Sequence, residues 1–312
     1  MHLLIPFAFS SSEGCQQTLA PLKLPHLSKL LARLSPLPTD LGDEFSLSAP
    51  HERALVRAMG MGAPDGQIPW AALHASNTQP AQGAWAFITP CHWQVGTTHI
   101  VMQGPDLPDF SADESHTLLT AMQPYFEEDG ITLQFDQSAR WLACGEALQG
   151  LATASADRVV GRNVAPWMPR GPGATRLQRL QTEMQMLLYH HPVNDTRAAR
   201  GVPTVNSFWL SGTGTLPPTQ RQVSTPAPPV VVTRLREPAL RENWPAWAQA
   251  WAALDATECA ALLAELKHGG DHQLTLCGER HAQTYTTTRQ NFWQKFMNNF
   301  GTQRASIVLQ QL

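Results

Sequence analysis

Residues 189–216, YHHPVNDTRAARGVPTVNSFWLSGTGTL, decide the fold because they join a helix end, a polar turn, a short basic helix and an apolar strand. Upstream, leucine and methionine recur at three- and four-residue spacing over 177–189, which predicts a helix with one apolar face. Pro192 is expected to end that helix at or before the preceding residue. Asn194 or Asp195 is then predicted to cap a short second helix.

The second half of this stretch predicts a strand followed by a turn. Residues 205–210 are mostly apolar and are predicted to form a buried strand, with the glycine-rich residues 211–214 as a turn at its carboxyl end. Open α/β sheets usually bind ligands at the carboxyl ends of their strands, so this turn is a candidate ligand edge. The alternative is a helix–turn–strand unit that serves packing alone. The spacing of the residues does not distinguish a ligand-binding edge from such a packing unit.

Composition indicates a folded protein without an electrostatic affinity for nucleic acid. The chain has 312 residues, 43% of them hydrophobic, which is enough for two domains or for one domain with an insertion. The formal net charge is −3, only 15% of residues are charged, and the sequence holds no polybasic run. No segment approaches the roughly 18 apolar residues of a membrane span. Neither a nucleic-acid nor a membrane partner is therefore predicted.

The cysteines and the first residues indicate the compartment. The five cysteines are dispersed and form no CxxC pair, which suggests neither a zinc ribbon nor a disulfide framework. The start, MHLLIPFAFSSS, lacks a basic region, and its apolar run is broken by proline. It is interpreted as a first strand over 2–9 and not as a signal peptide. A cytoplasmic, reduced protein is predicted.

Hydrophobic periodicity and capping signals divide the N-terminal half of the chain into two parts with different predicted secondary structure. Helices are predicted over 24–34, 50–59 with Ser48 as cap, and 69–74. From about residue 84 the pattern changes. Strands are predicted over 84–89 and 99–103, a helix that opens on a capping box over 111–128, and a hairpin of two strands over 131–135 and 140–143. This compact α+β unit is predicted as an insertion over 76–164 into a discontinuous α/β core, 1–75 and 165–312.

The C-terminal part is predicted to return to alternating strands and helices. Strands are expected over 230–235, 273–277, 281–286 and 305–309. Helices are expected over 244–251, 255–267 and 290–298, the second opening on a capping box at Asp255. The proline-rich residues 216–229 are predicted to form a connector.

The segment HPVNDTRAARGVPTVNSFWLSGTG resembles the segment HPVN-x-x-R-x-x-x-G-x-x-x-N-x-(apolar)-W/L-x-G-x-G of archaeal-type cofactor-independent phosphoglycerate mutases, members of the alkaline phosphatase superfamily. The matching residues are His191, Pro192, Asn194, Arg197, Gly201, Asn206, Leu210, Gly212 and Gly214. Upstream, the Asp157 turn looks like that family's Asp-Ile-x-Gly turn, and Ser138-Ala-Arg140 like its Ser-x-Arg strand. A nearer likeness is to a proteobacterial group of phosphoglycerate mutase-like or pathogenicity-regulator proteins. The resemblance spans roughly residues 20–215 and implies a Rossmann-like, alkaline-phosphatase-type core with an inserted α+β domain.

The departures from this family concern the metal ligands. Family enzymes hold two divalent metals with Asp and His side chains, because metal must neutralise the charge that develops on the phosphoryl group. Where the family has an aspartate after its first strand, residues 9–12 are Phe-Ser-Ser-Ser, and the first carboxylate is Glu13. The adjacent Asp271 and His272 precede a predicted strand instead of following one. The chain is therefore predicted to be a degenerate relative with no metal, no cofactor and no assigned catalytic residue.

Arginines are the main candidate ligand residues, since a guanidinium binds phosphate or carboxylate through paired hydrogen bonds. The resemblance implies a substrate cleft between core and insertion, bordered by Arg140 and Arg162. The full candidate set is Arg140, Asp157, Arg162, His191, Asn194, Arg197 and Asn206. The alternatives are surface ion pairs, with Arg140 bound to Glu127, Asp129 or Asp136, and a structural His191. The serines at 10–12 are either a nucleophile at a strand end or solvated loop residues.

The preferred function is a phosphoglycerate mutase-like, non-catalytic regulatory protein, a pseudoenzyme that binds a phosphorylated or carboxylate small molecule. One alternative is an active cofactor-independent phosphoglycerate mutase or phosphatase with unrecognised ligands. The other is a protein-interaction module with a protein partner.

Overall fold

The computed structural model describes residues 1–104, 107–216, 228–287 and 305–312. In chain order its helices are α1 (Glu13–Leu19), α2 (Pro25–Leu31), α3 (Pro50–Ala58), α4 (Trp70–Ala75), α5 (Ala112–Glu128), α6 (Ala156–Val159), α7 (Ala174–Tyr189), α8 (Pro192–Ala199), α9 (Arg236–Leu240), α10 (Trp244–Leu254), α11 (Ala260–Glu265) and α12 (Ala305–Leu309). Its strands are β1 (His2–Ile5), β2 (Ser35–Pro36), β3 (Trp85–Cys91), β4 (Trp93–Val95), β5 (Ile100–Met102), β6 (Thr132–Gln137), β7 (Arg140–Cys144), β8 (Ser207–Gly214), β9 (Val230–Val231), β10 (Gln273–Cys277) and β11 (Ala282–Thr286).

The chain forms two compact units. The first comprises Met1–Glu44, Ala49–Met61 and Thr225–Leu312, and the second Phe45–Ser48 and Gly62–Ser224. The second unit contains the whole of the predicted insertion, 76–164, and includes further residues on both sides of it in sequence. The residues after 164 belong to it because α7, α8 and β8 pack with the same sheet. The predicted division into an insertion and a discontinuous core stays a prediction.

The first unit is built on a mixed five-stranded sheet in the order β2-β11-β10-β1-β9. β1 runs parallel to β9 and β10, whereas β11 is antiparallel to β10 and β2. Leu3 and Ile5 pack with α1, α2, α10, α11 and α12 on one face, and Leu4 packs with Ala54 of α3 on the other. Because both faces are covered, β1 is a continuous apolar run and not an alternating one.

The second unit is built on an antiparallel four-stranded sheet in the order β6-β7-β3-β8. Alternate residues of these strands face opposite ways. One face packs against α5 and α7 around Trp141 and Phe208, and the other packs against α4 around Trp85 and Leu142. The short pair β4-β5 forms a separate antiparallel ribbon. The predicted α/β class and the α+β character of this region are confirmed.

Two predicted elements of the motif stretch are wrong. Residues 211–214 are not a turn but the second half of β8, which pairs with β3. Their glycines serve close packing, because a Cβ on Gly212 would lie 3.0 Å from the Phe87 ring and 3.2 Å from Trp70. The helix after Pro192 also begins earlier than predicted, with proline in its first turn and His191 as its N-cap.

Other predicted boundaries are corrected in the same way. Ala49, not Ser48, is the N-cap of α3, and the Ser48 hydroxyl instead accepts the Gly66 N–H at 2.8 Å. The predicted strand over 305–309 is a helix, and the strand predicted over 230–235 ends at Val231. The helix predicted over 290–298 lies outside the described residues. Among the helices that the structure describes, none is long and apolar enough to span a bilayer.

The predicted capping box at Asp255 is also wrong, for a tertiary reason. α10 and α11 are continuous through a π-helical turn, Asp255–Cys259, so no helix starts there. The Asp255 carboxylate instead accepts hydrogen bonds from the first turn of α2. The sequence signal of a cap was present, but the helix that it caps is a different one.

Candidate functional site

Arg140, the first residue of β7, is held from two sides in the second unit. Its Nε and Nη2 donate to the same oxygen of Asp136, Oδ2, at 2.8 and 2.7 Å. Its guanidinium lies 4.8 Å from the centre of the Phe87 ring. The side chain is nevertheless 33% exposed. This is a guanidinium held in a set orientation on a side chain that remains partly exposed.

The second carboxylate oxygen of Asp136 binds a histidine that the sequence did not single out. His74 Nε2, on α4, lies 2.8 Å from Asp136 Oδ1, and the imidazole packs edge-on against Phe87 at 5.7 Å. Partial burial alone would raise the pKa of the Asp136 carboxyl. The hydrogen bonds from His74 and Arg140 outweigh that effect and hold the pKa below its usual value. Asp136 is therefore an ionised bridge between two basic side chains.

Strand alternation explains why these groups share one face of the sheet. Leu142 and Trp85 face α4, so residues of the same parity on their strands, Arg140 and Phe87, do too. Asp136 faces the same way on the neighbouring strand β6, next to the register shift between Phe135 and Gln137. The helix α4 packs on this face and brings His74 to Asp136 across 62 residues of sequence.

This cluster can bind an anion through the outer edge of Arg140. Nε and Nη2 are occupied on the side facing Asp136, and the remaining edge, formed by Nη1 and Nη2, carries two parallel N–H groups. Their spacing matches two oxygens of a phosphate or carboxylate. The ion pair with Asp136, one of the predicted alternatives, is present, and it orients the guanidinium through Nε and Nη2.

Two candidate residues of the motif stretch, Asn194 and His191, bind backbone groups of their own turn. Asn194 donates to the carbonyls of Leu188 and Val205 at 2.8 and 2.7 Å and accepts the Val205 N–H at 2.8 Å. The His191 ring nitrogen Nδ1 accepts the Val193 N–H at 3.3 Å. Burial lowers the pKa of His191 despite the opposing charge of Asp195. These contacts support the structural alternative for His191.

Arg197 is fully buried and joins the turn to the start of α5. It donates to the carbonyls of Pro203, Pro108 and Asp109 and to the carboxylate of Glu114. Its guanidinium also lies 5.3 Å from the centre of a phenylalanine ring. Four such bonds in a side chain with 0% exposure indicate a structural centre of the second unit.

Asn206 pairs with the backbone of Trp93 like one residue of a strand. Its Oδ1 accepts the Trp93 N–H at 2.7 Å and its Nδ2 donates to the Trp93 carbonyl at 2.8 Å. Replacing Asn206 by alanine is expected to lower the free energy of unfolding by on the order of 1–3 kcal/mol, because two backbone groups lose their partner. Urea denaturation measures this, and an unchanged midpoint would refute the structural role.

Of the candidates Asp157 and Arg162, Arg162 is bonded to the β4-β5 ribbon through its backbone. Asp157 lies in the first turn of α6. The Arg162 carbonyl accepts the N–H of Met102 from β5, and the Arg162 N–H donates to Val159. Ligand binding by either residue stays a prediction.

The serines after β1 bond within the first unit. The Ser11 hydroxyl donates to Glu279 Oε2 at 2.6 Å, and Ser12 accepts the Cys15 N–H as the N-cap of α1. The preceding Phe7 has a positive φ of 56°, a strained conformation for this residue type, and Trp247 Nε1 donates to its carbonyl at 2.9 Å. Glu279, which follows the parallel strand β10, is a carboxylate that sequence spacing could not place beside Ser11.

The donor set after β1 does not fit the two-metal site that the family resemblance implies. Serine hydroxyls stand where that family has an aspartate, and two of them are engaged in the contacts just described. Within the described ranges, no three His, Cys, Asp or Glu side chains gather in a group able to hold a metal ion.

Comparisons with known proteins point to phosphoglycerate mutases over part of the chain. No family model matches. A segment of 68 residues, 22% of the chain, is 32% identical to a probable 2,3-bisphosphoglycerate-independent phosphoglycerate mutase of Geobacter sulfurreducens. The match covers 17% of that protein, so the chain aligns with about a sixth of its length.

Two solved structures are similar across most of the chain at low sequence identity. A cofactor-independent phosphoglycerate mutase from Thermoplasma acidophilum has a TM-score of 0.37 and 13% identity, covering 100% of this chain and 99% of its own. The PH0037 protein from Pyrococcus horikoshii has a TM-score of 0.47 and 12% identity, covering 92% and 87%.

Proposed function

We propose that this protein is a phosphoglycerate mutase-like regulatory protein that binds a phosphorylated or carboxylate small molecule through Arg140 and is not a catalyst. The observation that carries the proposal is the orientation of the Arg140 guanidinium by Asp136 and Phe87 on a side chain that is still 33% exposed. A contact between arginine and an anion needs no metal. It can therefore operate in a chain whose strand β1 is followed by serines in place of a carboxylate.

The proposal extends to the compartment and the fold family. The five cysteines are free thiols, which is consistent with a reducing cytoplasm. The sequence motif around residues 191–214 and the local identity to the Geobacter protein support descent from alkaline-phosphatase-type mutases.

Replacing Arg140 by alanine is expected to weaken binding of 3-phosphoglycerate or inorganic phosphate by at least about tenfold, because the paired hydrogen bonds are lost. Arg140→Lys is expected to lose most of the affinity as well, since an ammonium cannot form the paired contact. Isothermal titration calorimetry in the presence of a metal chelator measures both. Arg179→Ala is the matched control, because Arg179 also pairs with an aspartate, Asp129, at 2.6 Å on the same unit.

The outcomes separate this proposal from its two alternatives. Wild type that binds neither ligand at millimolar concentration, or Arg140→Ala that binds as well as wild type, would overturn the anion site. Stoichiometric manganese or zinc in the purified protein, together with interconversion of phosphoglycerates, would identify an active mutase. Absence of both ligand binding and metal would favour a protein-interaction module.

A further inference from the structure

We infer that His74 is a second ligand contact of the Arg140 site and that its protonation controls anion binding there. The inference rests on the proposed function, because it names the pH regulation of the same site. It concerns a residue that the motif does not include, brought to the site by α4.

The charges of the cluster cancel when His74 is neutral. Arg140 contributes one positive charge and Asp136 one negative charge, and the lowered pKa of Asp136 keeps that carboxylate ionised at neutral and mildly acidic pH. A neutral imidazole adds nothing to this sum. A protonated imidazole gives the cluster a net charge of one positive unit, which attracts an anion.

The hydrogen bond to Asp136 also determines how protonation changes the free ring nitrogen of His74. Asp136 Oδ1 is an ionised acceptor, so the His74 Nε2 that faces it at 2.8 Å must carry the hydrogen. In the neutral tautomer Nδ1 is then a lone pair, which repels an anion. Protonation places a hydrogen on Nδ1 and converts it into a charged donor.

The surroundings leave few other charges to compensate this change. The helix α4 packs against β3 and β8, WAFITPC and SFWLSGTG, and neither strand carries Asp, Glu, Lys, Arg or His. Cys91 on β3 is buried, which raises the pKa of its thiol and keeps it neutral. On β6 and β7 the charged side chains are Asp136 and Arg140. Among described residues of these elements, the charges facing His74 are therefore these two.

Sulfate is the probe, because it keeps its double negative charge across the titration range of an imidazole, whereas phosphate does not. Calorimetry of the full-length protein between pH 5.5 and 8.5 is expected to show sulfate binding on the order of tenfold tighter at the acidic end. His74→Gln is expected to abolish this pH dependence, because the amide still donates to Asp136 but cannot become charged. Binding should stay at its weak, alkaline level throughout.

His116→Gln is the matched control. His116 is an exposed histidine of the same unit, stacked on Phe135, and its removal should leave the pH profile of wild type intact. Thermal unfolding of each variant checks that the fold is retained. A tenfold change that persists in His74→Gln would overturn the role of His74 and leave the proposed function standing. Sulfate affinity in wild type that is absent, or equal at both ends of the pH range, would also overturn this inference. The proposed function is judged separately by the 3-phosphoglycerate titration.

Discussion

Replacing Arg197 by alanine is expected to lower the free energy of unfolding by on the order of 3–5 kcal/mol. The side chain is fully buried and its Nη1 lies 3.0 Å from Glu114 Oε2. Its other hydrogen bonds satisfy backbone carbonyls, including those of Pro108 and Pro203 at 2.8 and 2.9 Å. Truncation would leave these acceptors buried without a donor and would open a cavity the size of the side chain.

Arg200 supplies the matched control for this prediction. Its Nη2 binds the other oxygen of Glu114 at 2.6 Å, but its side chain is 45% exposed. Arg200→Ala should therefore cost no more than about 1 kcal/mol. Chemical denaturation of both variants measures the difference. Equal losses for the two would show that burial of Arg197 adds nothing, and the structural role would then be wrong.

Replacing Asp255 by alanine is expected to destabilise the first unit by on the order of 2–3 kcal/mol. Its carboxylate, 3% exposed, accepts the N–H groups of His26 at 3.1 Å and Leu27 at 2.7 Å, and its Oδ2 lies 3.0 Å from His26 Nδ1. The N-cap residue of α2 is Leu24, which offers no side-chain acceptor. Without Asp255, the first turn of α2 loses the acceptor for two of its N–H groups.

Two further variants test the cause of this loss in denaturation experiments. Asp255→Asn keeps one acceptor oxygen and should recover part of the stability. Glu258→Ala removes a neighbouring acid on the same π-helical turn, whose partner Arg234 is 48% exposed, and should cost no more than about 1 kcal/mol. If Asp255→Ala unfolds at the same denaturant concentration as Glu258→Ala, the capping of α2 by Asp255 contributes nothing measurable.

Only part of the candidate site could be predicted from the sequence. The motif and the chemistry of arginine indicate Arg140, and the sequence also offers Asp136 as a pairing partner, which the structure confirms. His74 carried no signal, because it lies in a six-residue helix and meets Asp136 across 62 positions. Glu279 meets Ser11 across 268 positions. Contacts at such separation depend on how sheets and helices assemble, which periodicity does not encode.

By itself the sequence determined the elements that neighbouring residues specify. The capping box of Ser111 and Glu114 opens α5 as predicted, because both bonds form within one turn. The spacing of apolar residues predicted α7, and alternating segments around a polar turn predicted the β6-β7 hairpin. In each case the stabilising partners lie within a few residues or on one face of one element.

The tertiary structure decided the identity of segments whose partners are distant. Residues 211–214 form a strand because β3 supplies the hydrogen-bond ladder, and Gly212 permits the close approach of Phe87 and Trp70. Asp255 caps α2 instead of its own helix, because α2 lies within hydrogen-bond reach although 229 residues away in sequence. Buried backbone groups must find partners wherever the fold supplies them, and local propensity gives way to that requirement.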